Sequence, residues 1–186
     1  MNPGHLFTTL IAFTLLVGAP ACRQATDPAK AMTVDSLLSV NNSALLTLQE
    51  LDDSRYDHLD SIFQQQRPQF AARFLDTLLP LEADHLGSQF LVLRDALRMG
   101  QNQRALIDRL NERSDRLSAL EVDISAGTIS ARELEQAIAL ERTLLEFDHA
   151  QVLSVIENYR AAQRAWELRD TVTALLADTP PNADQP

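Results

Sequence analysis

The feature that most constrains the fold is a seven-residue repeat of apolar side chains in the last third of the chain. It runs without a slip through Ile138, Leu145, Val152, Tyr159 and Trp166. Residues seven apart lie on one face of a helix, so the repeat predicts a helix over about residues 131–177 that buries one continuous stripe. At about 1.5 Å per residue this helix is about 70 Å long, which favours an extended protein over a globular one.

A second apolar stripe precedes the first across a clear helix boundary. Its members recur at intervals of three, four and seven, at Leu106, Leu110, Leu117, Leu120 and Ile124. Gly127 supplies a helix end, and Ser130 with Glu133 has the S-x-x-E form of a capping box that begins the next helix. Two stripes joined by so short a turn predict an antiparallel hairpin, in which apolar residues meet along the length when Ile124 lies opposite Leu134.

The sequence upstream of the hairpin predicts further helices. The first begins with a cap at Thr33 or Asp35 and ends near Gln66. Pro68 then occupies an early position of the next helix, where its missing N–H is not needed. Pro80 is expected to kink or split that helix, because a proline ring clashes with the preceding turn.

Gly100 decides between two arrangements of these helices. A turn or kink there gives a four-helix bundle, whereas a continuous helix gives three helices with a long hairpin, and we favour the turn or kink. Both arrangements are all-α: an elongated antiparallel helical bundle with a long coiled-coil-like hairpin of three or four helices. The bundle is predicted over residues 33–177, after a tether at 22–32 and before a disordered tail at 178–186 that is rich in proline.

The charge of the chain excludes some classes of partner. Lys and Arg total 16 against 26 Asp and Glu, a net charge of −10, and none of these residues precedes Arg23. The acidic excess therefore belongs to the part of the chain that follows. It argues against binding to nucleic acid or to anionic lipid through bulk charge.

The chain begins with a targeting segment. Residues 6–17 form a mostly apolar run that is too short to span about 30 Å of hydrocarbon but has the length of a signal-peptide core. Ala19 and Ala21 are small residues on either side of Pro20, so cleavage is expected directly before Cys22, the only cysteine of the chain. Residues 1–21 are therefore predicted to be a signal peptide.

This segment resembles the signal of a bacterial lipoprotein, and the chain as a whole resembles small helical bacterial lipoproteins. The resemblance implies lipid, including palmitate, on Cys22 and attachment to a membrane through it. The residue after the cysteine is Arg23 rather than an aspartate, which in such proteins implies attachment to the periplasmic face of the outer membrane. The alternatives are ordinary secretion with the same cut, which leaves Cys22 as a free thiol, and an uncleaved apolar anchor.

Two Glu-x-x-His pairs are the strongest candidates for a metal site. They are Glu82 with His85 and Glu146 with His149. Together with carboxylates such as Glu50 and Glu112 they resemble the di-metal site of ferritin-like bundles. Around a turn at Gly100 the two pairs would be offset by about 9 Å, too far to share two ions. We therefore interpret them as solvent-facing side chains and expect neither metal nor cofactor, with a metal-binding four-helix bundle as the alternative.

A second constellation lies on the hairpin itself. Arg113 is the charged residue that interrupts the stripe between Leu110 and Leu117. Glu141 and Asp148 fall at inward positions of the facing helix and bracket Arg113 in the predicted register. An ion pair there would fix the alignment of the helices more than it would add stability. A functional polar pocket is the alternative.

Enzyme signatures are missing from the sequence, which has neither a glycine-rich phosphate loop nor a G-x-S-x-G turn. We therefore predict a non-enzymatic lipoprotein of the cell envelope that acts through contacts with an envelope protein, as a scaffold, adaptor or spacer. Self-association stays open. A periplasmic helical chaperone is a further alternative, because Leu46 to Gln49 resembles the L-T-x-x-Q motif of such chaperones with the glutamine one residue early.

Overall fold

The computed structural model describes residues 27–75 and 78–177, which fold into four α-helices. They are α1 (Pro28–Gln49), α2 (Ser54–Arg73), α3 (Pro80–Ala126) and α4 (Ala131–Ala177). These residues contain no strand, so the predicted all-α bundle is confirmed. The predicted signal peptide, Cys22 and the predicted tail at 178–186 lie outside the described residues.

The two long helices form the predicted antiparallel hairpin. Each has 47 residues and is therefore about 70 Å long. Gly127 ends α3 with a φ of 67°, in the left-handed region that favours glycine. Ser130 Oγ accepts a hydrogen bond from the Glu133 N–H at 3.3 Å, and Glu133 Oε2 accepts one from the Ser130 N–H at 3.1 Å. This reciprocal capping box begins α4.

α1 and α2 lie end to end along one side of the hairpin, so that the cross-section contains three helices. α1 packs near the Gly127 turn, where Val34 and Leu37 share an apolar cluster with Leu117. α2 packs toward the other end, where Phe70 shares a cluster with Leu86. We call these two parts of the rod the α1 half and the α2 half.

Residues 50–53 separate α1 from α2, so the prediction of one helix that ends near Gln66 is wrong. α1 also begins earlier than predicted, at Pro28, and residues 28–32 of the predicted tether are helical. Proline suits the first position of a helix. Asp27 caps this start, because its Oδ1 accepts a hydrogen bond from the Ala29 N–H at 3.0 Å.

The break between α1 and α2 is held by side chains that satisfy the two helix ends. Asp52 Oδ1 accepts hydrogen bonds from the Ser54 N–H at 3.2 Å and from the Ser54 hydroxyl at 2.6 Å. From α3, Gln103 Nε2 donates to the carbonyl oxygens of Leu48 at 3.1 Å and Leu51 at 3.0 Å. One carbonyl group in the last turn of α1 and one in the break thus have a partner on α3.

Both prolines lie elsewhere in their helices than predicted. Pro68 is inside α2 and does not begin a new helix. Its position is exposed, so the carbonyl group that loses its helical partner is close to water, which lowers the cost of the proline. Pro80 neither kinks nor splits a helix, because it is the first residue of α3. At that position a helix needs no N–H donor.

Gly100 lies inside α3, and the prediction of a turn or kink there is wrong. The glycine permits close packing instead. A Cβ atom added at Gly100 would lie 3.1 Å from Cβ of Tyr56, which is tighter than ordinary van der Waals contact. A side chain at this position would require Tyr56 to move by a few tenths of an ångström. Glycine avoids that shift, at a cost of about 1 kcal/mol in helix propensity.

The buried stripe of α3 changes phase at the level of the α1–α2 break. Around this point the buried residues are Ala96, Gly100, Gln103, Leu106 and Leu110. Their intervals are four, three, three and four, so one residue is missing from the regular alternation of fours and threes. Such a slip rotates the buried face of the helix. It occurs where α1 replaces α2 as the neighbour of α3.

Candidate functional site

The structure brings the three predicted seam residues together in the α1 half. Arg113, Glu141 and Asp148 are all buried, with Arg113 4% exposed. Arg113 Nε donates a hydrogen bond to Glu141 Oε2 at 3.2 Å, and Arg113 Nη2 lies 2.8 Å from Asp148 Oδ2. One guanidinium group therefore joins two carboxylates that lie two helical turns apart on α4.

The sequence places these charges in the core because they occupy core positions of the helical repeat. Glu141 and Asp148 belong to a row of α4 residues spaced by seven that begins at Leu134 and continues through Val155 and Ala162. The other members of this row are apolar and buried. Charged side chains buried within such a row need partners, because an unpaired buried charge costs several kcal/mol.

Two further arginines of α3 complete the cluster from the solvent side. Arg116 Nε donates to Glu141 Oε1 at 2.8 Å, and Arg109 Nη2 donates to Asp148 Oδ1 at 3.4 Å. The hydrogen bond to Glu141 raises the pKa of Arg116 above its usual value. Each of the four carboxylate oxygens thus lies within 3.4 Å of a guanidinium nitrogen. This arrangement suits alignment of two helices better than acid–base chemistry, which needs a carboxylate with an oxygen free to reach substrate.

Sequence reasoning missed three buried amides that also cross between helices. Asn41 Nδ2 donates to the Leu110 carbonyl at 2.9 Å, and Gln89 Nε2 donates to the Ala165 carbonyl at 2.9 Å. Gln103, at the end of α1, is the third. A signal for Asn41 was present, because it lies seven residues from both Val34 and Leu48 on the buried face of α1.

A cluster of aromatic and cationic side chains lies on the surface between α2 and α4. The Arg169 guanidinium is 4.5 Å from the centre of the Trp166 ring, and the His58 ring is 6.0 Å from the same ring. Arg55 lies 5.2 Å from the centre of the Tyr159 ring. The Trp166 ring is therefore in contact with groups on both helices, which fastens α2 to α4.

The structure does not bring the two Glu-x-x-His pairs together. Glu82 is in the first turn of α3, where it accepts from the Leu79 N–H at 3.2 Å and lies 3.5 Å from Arg73. Glu146 and His149 are exposed near the middle of α4. The level of Glu82 on the hairpin is about thirty residues, or roughly 45 Å, from that of Glu146. The smaller offset predicted from a turn at Gly100 is therefore wrong, because α3 does not turn there.

Within residues 27–75 and 78–177, no group of three His, Cys, Asp or Glu side chains is placed to hold a metal ion. In the same residues, none of the helices combines the length and the hydropathy that crossing a membrane requires. Cys22, the predicted lipidation site, lies outside them.

The two flanks of α4 differ in charge. The flank next to α1 and α2 carries two rows of residues spaced by seven, which are Glu135, Arg142, His149, Ile156 and Gln163, and Ala139, Glu146, Leu153, Arg160 and Glu167. Half of these residues are formally charged. The other flank carries a row that we call the outer stripe, namely Leu140, Phe147, Ser154, Ala161 and Leu168. Its three large members are 59%, 63% and 48% exposed, so apolar surface faces solvent along much of the helix.

No family model, no curated protein and no solved structure matches the chain.

Proposed function

We propose that this protein is a non-enzymatic lipoprotein of the cell envelope, which acts through protein–protein contacts as a scaffold, adaptor or spacer. The observation that carries the proposal is the end of the rod at which α1 begins. α1 begins beside the Gly127 turn, where Lys30 Nζ lies 3.5 Å from the Ala131 carbonyl oxygen and 3.7 Å from Glu135. Asp27 follows Cys22 by five residue steps, a span of at most about 17 Å. Lipid on Cys22 would therefore hold this end of the rod at the membrane.

The opposite end of the rod is suited to contact with a partner. It lies about 70 Å from the Gly127 turn. Leu75, Leu79 and Leu81 are 89%, 66% and 68% exposed there, and Phe74 is 40% exposed. We call these four residues the apolar tip. Large apolar side chains that are gathered in one place on a surface favour interaction with another macromolecule.

The interior of the rod supports a mechanical role. Apolar clusters follow one another along its length, and the buried carboxylates are paired with arginines. A bundle with such a core resists bending and keeps its two ends apart. The resemblance of the signal, with Arg23 after the cysteine, favours the periplasmic face of the outer membrane as the place of attachment.

The anchor is tested by labelling cells with radioactive palmitate. The label should be incorporated into the wild-type chain and be absent from Cys22→Ser, while the membrane fraction should contain the wild-type chain only. A serine at position 22 conserves size and polarity, so the comparison isolates the thiol. A soluble, unacylated mature form in wild-type cells would overturn the proposed anchor.

A helical chaperone for unfolded envelope proteins is a second candidate, and the apolar tip is the observation that favours it. A chaperone should suppress aggregation of an unfolded client, and the double substitution Leu75→Ser with Leu81→Ser should remove that effect. A spacer should leave the client aggregated with or without the substitutions. Light scattering of a chemically denatured client on dilution separates the two outcomes.

A further inference from the structure

The end of the rod that carries the apolar tip has very few polar side chains. Among the described residues, the last turns of α2 and α4, the first turn of α3 and the segment between α2 and α3 contain two, Arg73 and Glu82. Arg73 Nη2 lies 3.5 Å from Glu82 Oε2, so the two charges offset each other, and Arg73 is buried. Residues 76 and 77 of the same segment lie outside the described part of the chain. The described surface of this end is therefore mostly apolar.

The opposite end of the rod is charged. The terminal turns of α1, α3 and α4 beside Gly127 carry Lys30, Asp123, Arg132 and Glu133. The last three of these side chains are exposed. In a chain with a net charge of −10, an apolar end opposite a charged one gives the rod two chemically different contacts.

Backbone N–H groups at the apolar tip already have partners. The N–H groups of Phe74 and Leu75 donate to carbonyl groups within α2, at 3.0 Å and 3.1 Å. The Leu79 N–H donates to Glu82 Oε2 at 3.2 Å, and Pro80 has no N–H. Paired backbone groups lower the cost of placing this segment in a medium without water.

We propose that the apolar tip inserts into the surface of a second lipid bilayer, which faces the bilayer that holds the lipid on Cys22. The tip then supplies the far contact of the proposed spacer, so this inference rests on the proposed function and deepens it. The rod is about 70 Å long and the tether adds at most about 17 Å. The two bilayer surfaces would therefore be held within roughly 90 Å of each other.

The shape and chemistry of the tip favour lipid over a protein partner. A partner helix needs apolar side chains in a row along one helix. The tip instead gathers side chains from the end of α2, from Leu79 before α3 and from the first turn of α3. A protein interface also has a polar rim with hydrogen bonds, whereas the described polar groups of this end bond to each other. A bilayer surface needs neither a row nor a rim.

The contact with lipid is expected to be weak and to prefer uncharged headgroups. Burial of one exposed leucine in an apolar medium raises a partition constant by roughly tenfold or more. Anionic headgroups repel a chain with a net charge of −10, and salt screens that repulsion. A weak contact suffices here, because an anchored rod keeps its tip at a high local concentration.

Flotation with vesicles tests the contact on the mature chain, residues 22–186, with Cys22→Ser so that no lipid is attached. The chain should float with phosphatidylcholine vesicles and float less with vesicles that contain phosphatidylglycerol. Salt at about 0.5 M should reduce that difference. Leu75→Ser with Leu81→Ser should lower the partition constant more than tenfold.

Leu91→Ser with Leu97→Ser is the matched control, because these leucines are 50% and 43% exposed on α3 outside the tip. The control should leave the partition constant within about twofold, and circular dichroism shows that each variant is helical. Absence of flotation by the wild-type sequence, or equal flotation of the tip variant, would overturn the proposal. Self-association that the tip substitutions abolish, without flotation, would assign the tip to a second copy and would also overturn it.

A polarity-sensitive dye locates the contact on the rod. In the Cys22→Ser chain, Leu79→Cys places the dye on the tip and Val122→Cys places it near the Gly127 turn, and both native side chains are 66% exposed. Phosphatidylcholine vesicles should shift the emission of the dye at position 79 to shorter wavelength and leave the dye at position 122 unchanged. A shift at position 122 as large as that at position 79 would contradict insertion of the tip.

The lipidated chain tests whether two bilayers are joined. Vesicles that hold it should capture a second population of phosphatidylcholine vesicles, and the tip variant should lower this capture more than tenfold. Flotation of the unlipidated chain without such capture would overturn the contact with a second bilayer. Absence of palmitate on Cys22 would overturn the anchor but leave flotation of the unlipidated chain unchanged, so the two failures are distinguishable.

Discussion

The α1 half and the α2 half of the rod share the same two long helices but are held together by different chemistry. In the α2 half, aromatic rings pack edge to face, with centres 5.6 Å apart for Phe63 and Phe90 and 5.5 Å apart for Phe70 and Phe90. In the α1 half, the middle of the core contains Arg113 with Glu141 and Asp148. The same hairpin thus has an apolar segment and a charged segment.

The two halves differ in what their cores provide, because one core mainly stabilises the fold and the other mainly fixes the alignment of α3 and α4. Burial of aromatic rings supplies free energy but tolerates small shifts between helices. The ion cluster permits one alignment, because a shift of α4 along α3 would leave buried carboxylates opposite leucines. We infer that the α2 half contributes more to the free energy of unfolding for each buried residue, and that the α1 half fixes the register of the hairpin.

The largest expected effect comes from Arg113→Ala. The substitution leaves the buried carboxylates of Glu141 and Asp148 without their shared partner, so it should lower the free energy of unfolding by about 3–5 kcal/mol. Urea unfolding followed by circular dichroism measures the change. A loss below about 1 kcal/mol would contradict a buried role for this cluster.

Replacing the whole cluster is the matched control for that loss. The triple variant Arg113→Leu, Glu141→Leu and Asp148→Leu should be as stable as the wild type or more stable by about 1–4 kcal/mol, because no charge is then buried. Its hairpin register should be less well defined in distance measurements between the helices. A triple variant as unstable as Arg113→Ala would show that the cluster supplies stability rather than alignment.

A smaller effect is expected in the α2 half at high pH. Burial raises the pKa of Tyr56 to about 12, with its neighbour Tyr159 adding to the shift, and the Tyr56 hydroxyl has no hydrogen-bond partner within the described residues. A raised folded-state pKa means that stability is complete below pH 10 and is lost as the pH rises toward 12. The loss at pH 11 should be about 1.4 kcal/mol.

Tyr56→Phe should remove this alkaline loss and leave stability at pH 7 nearly unchanged, while Tyr159→Phe should retain most of it. Thermal unfolding at pH 7 and pH 11 provides the comparison. The same alkaline loss in Tyr56→Phe would assign it to another group.

Local patterns in the sequence predicted the elements that local chemistry determines. The seven-residue repeat predicted α4, Gly127 and the Ser130 capping box predicted the turn, and the all-α bundle followed from these. The facing positions of Arg113 and Glu141 came from the register alone. These features depend on interactions between residues of neighbouring turns or across one short loop, so the local sequence is enough to predict them.

The remaining elements depend on contacts between distant parts of the chain. No glycine or proline marks the break at 50–53, which is satisfied from α3 by Gln103. Gly100 has the residue type of a turn, yet it serves the packing of Tyr56. Such roles become visible only when the neighbouring helix is known, which is why the turn at Gly100 was the wrong prediction with the largest consequence for the fold.

The most direct test of the rod is a distance between two positions on α3. Asp84 and Ser118 are exposed, lie on either side of Gly100 and can each be replaced by a cysteine that carries a spin label. If α3 is continuous, the 34-residue separation predicts a distance of about 50 Å in pulsed electron resonance. A hairpin that turned at Gly100 would bring the two labels within about 20 Å, and that result would contradict the fold and the proposals that depend on its length.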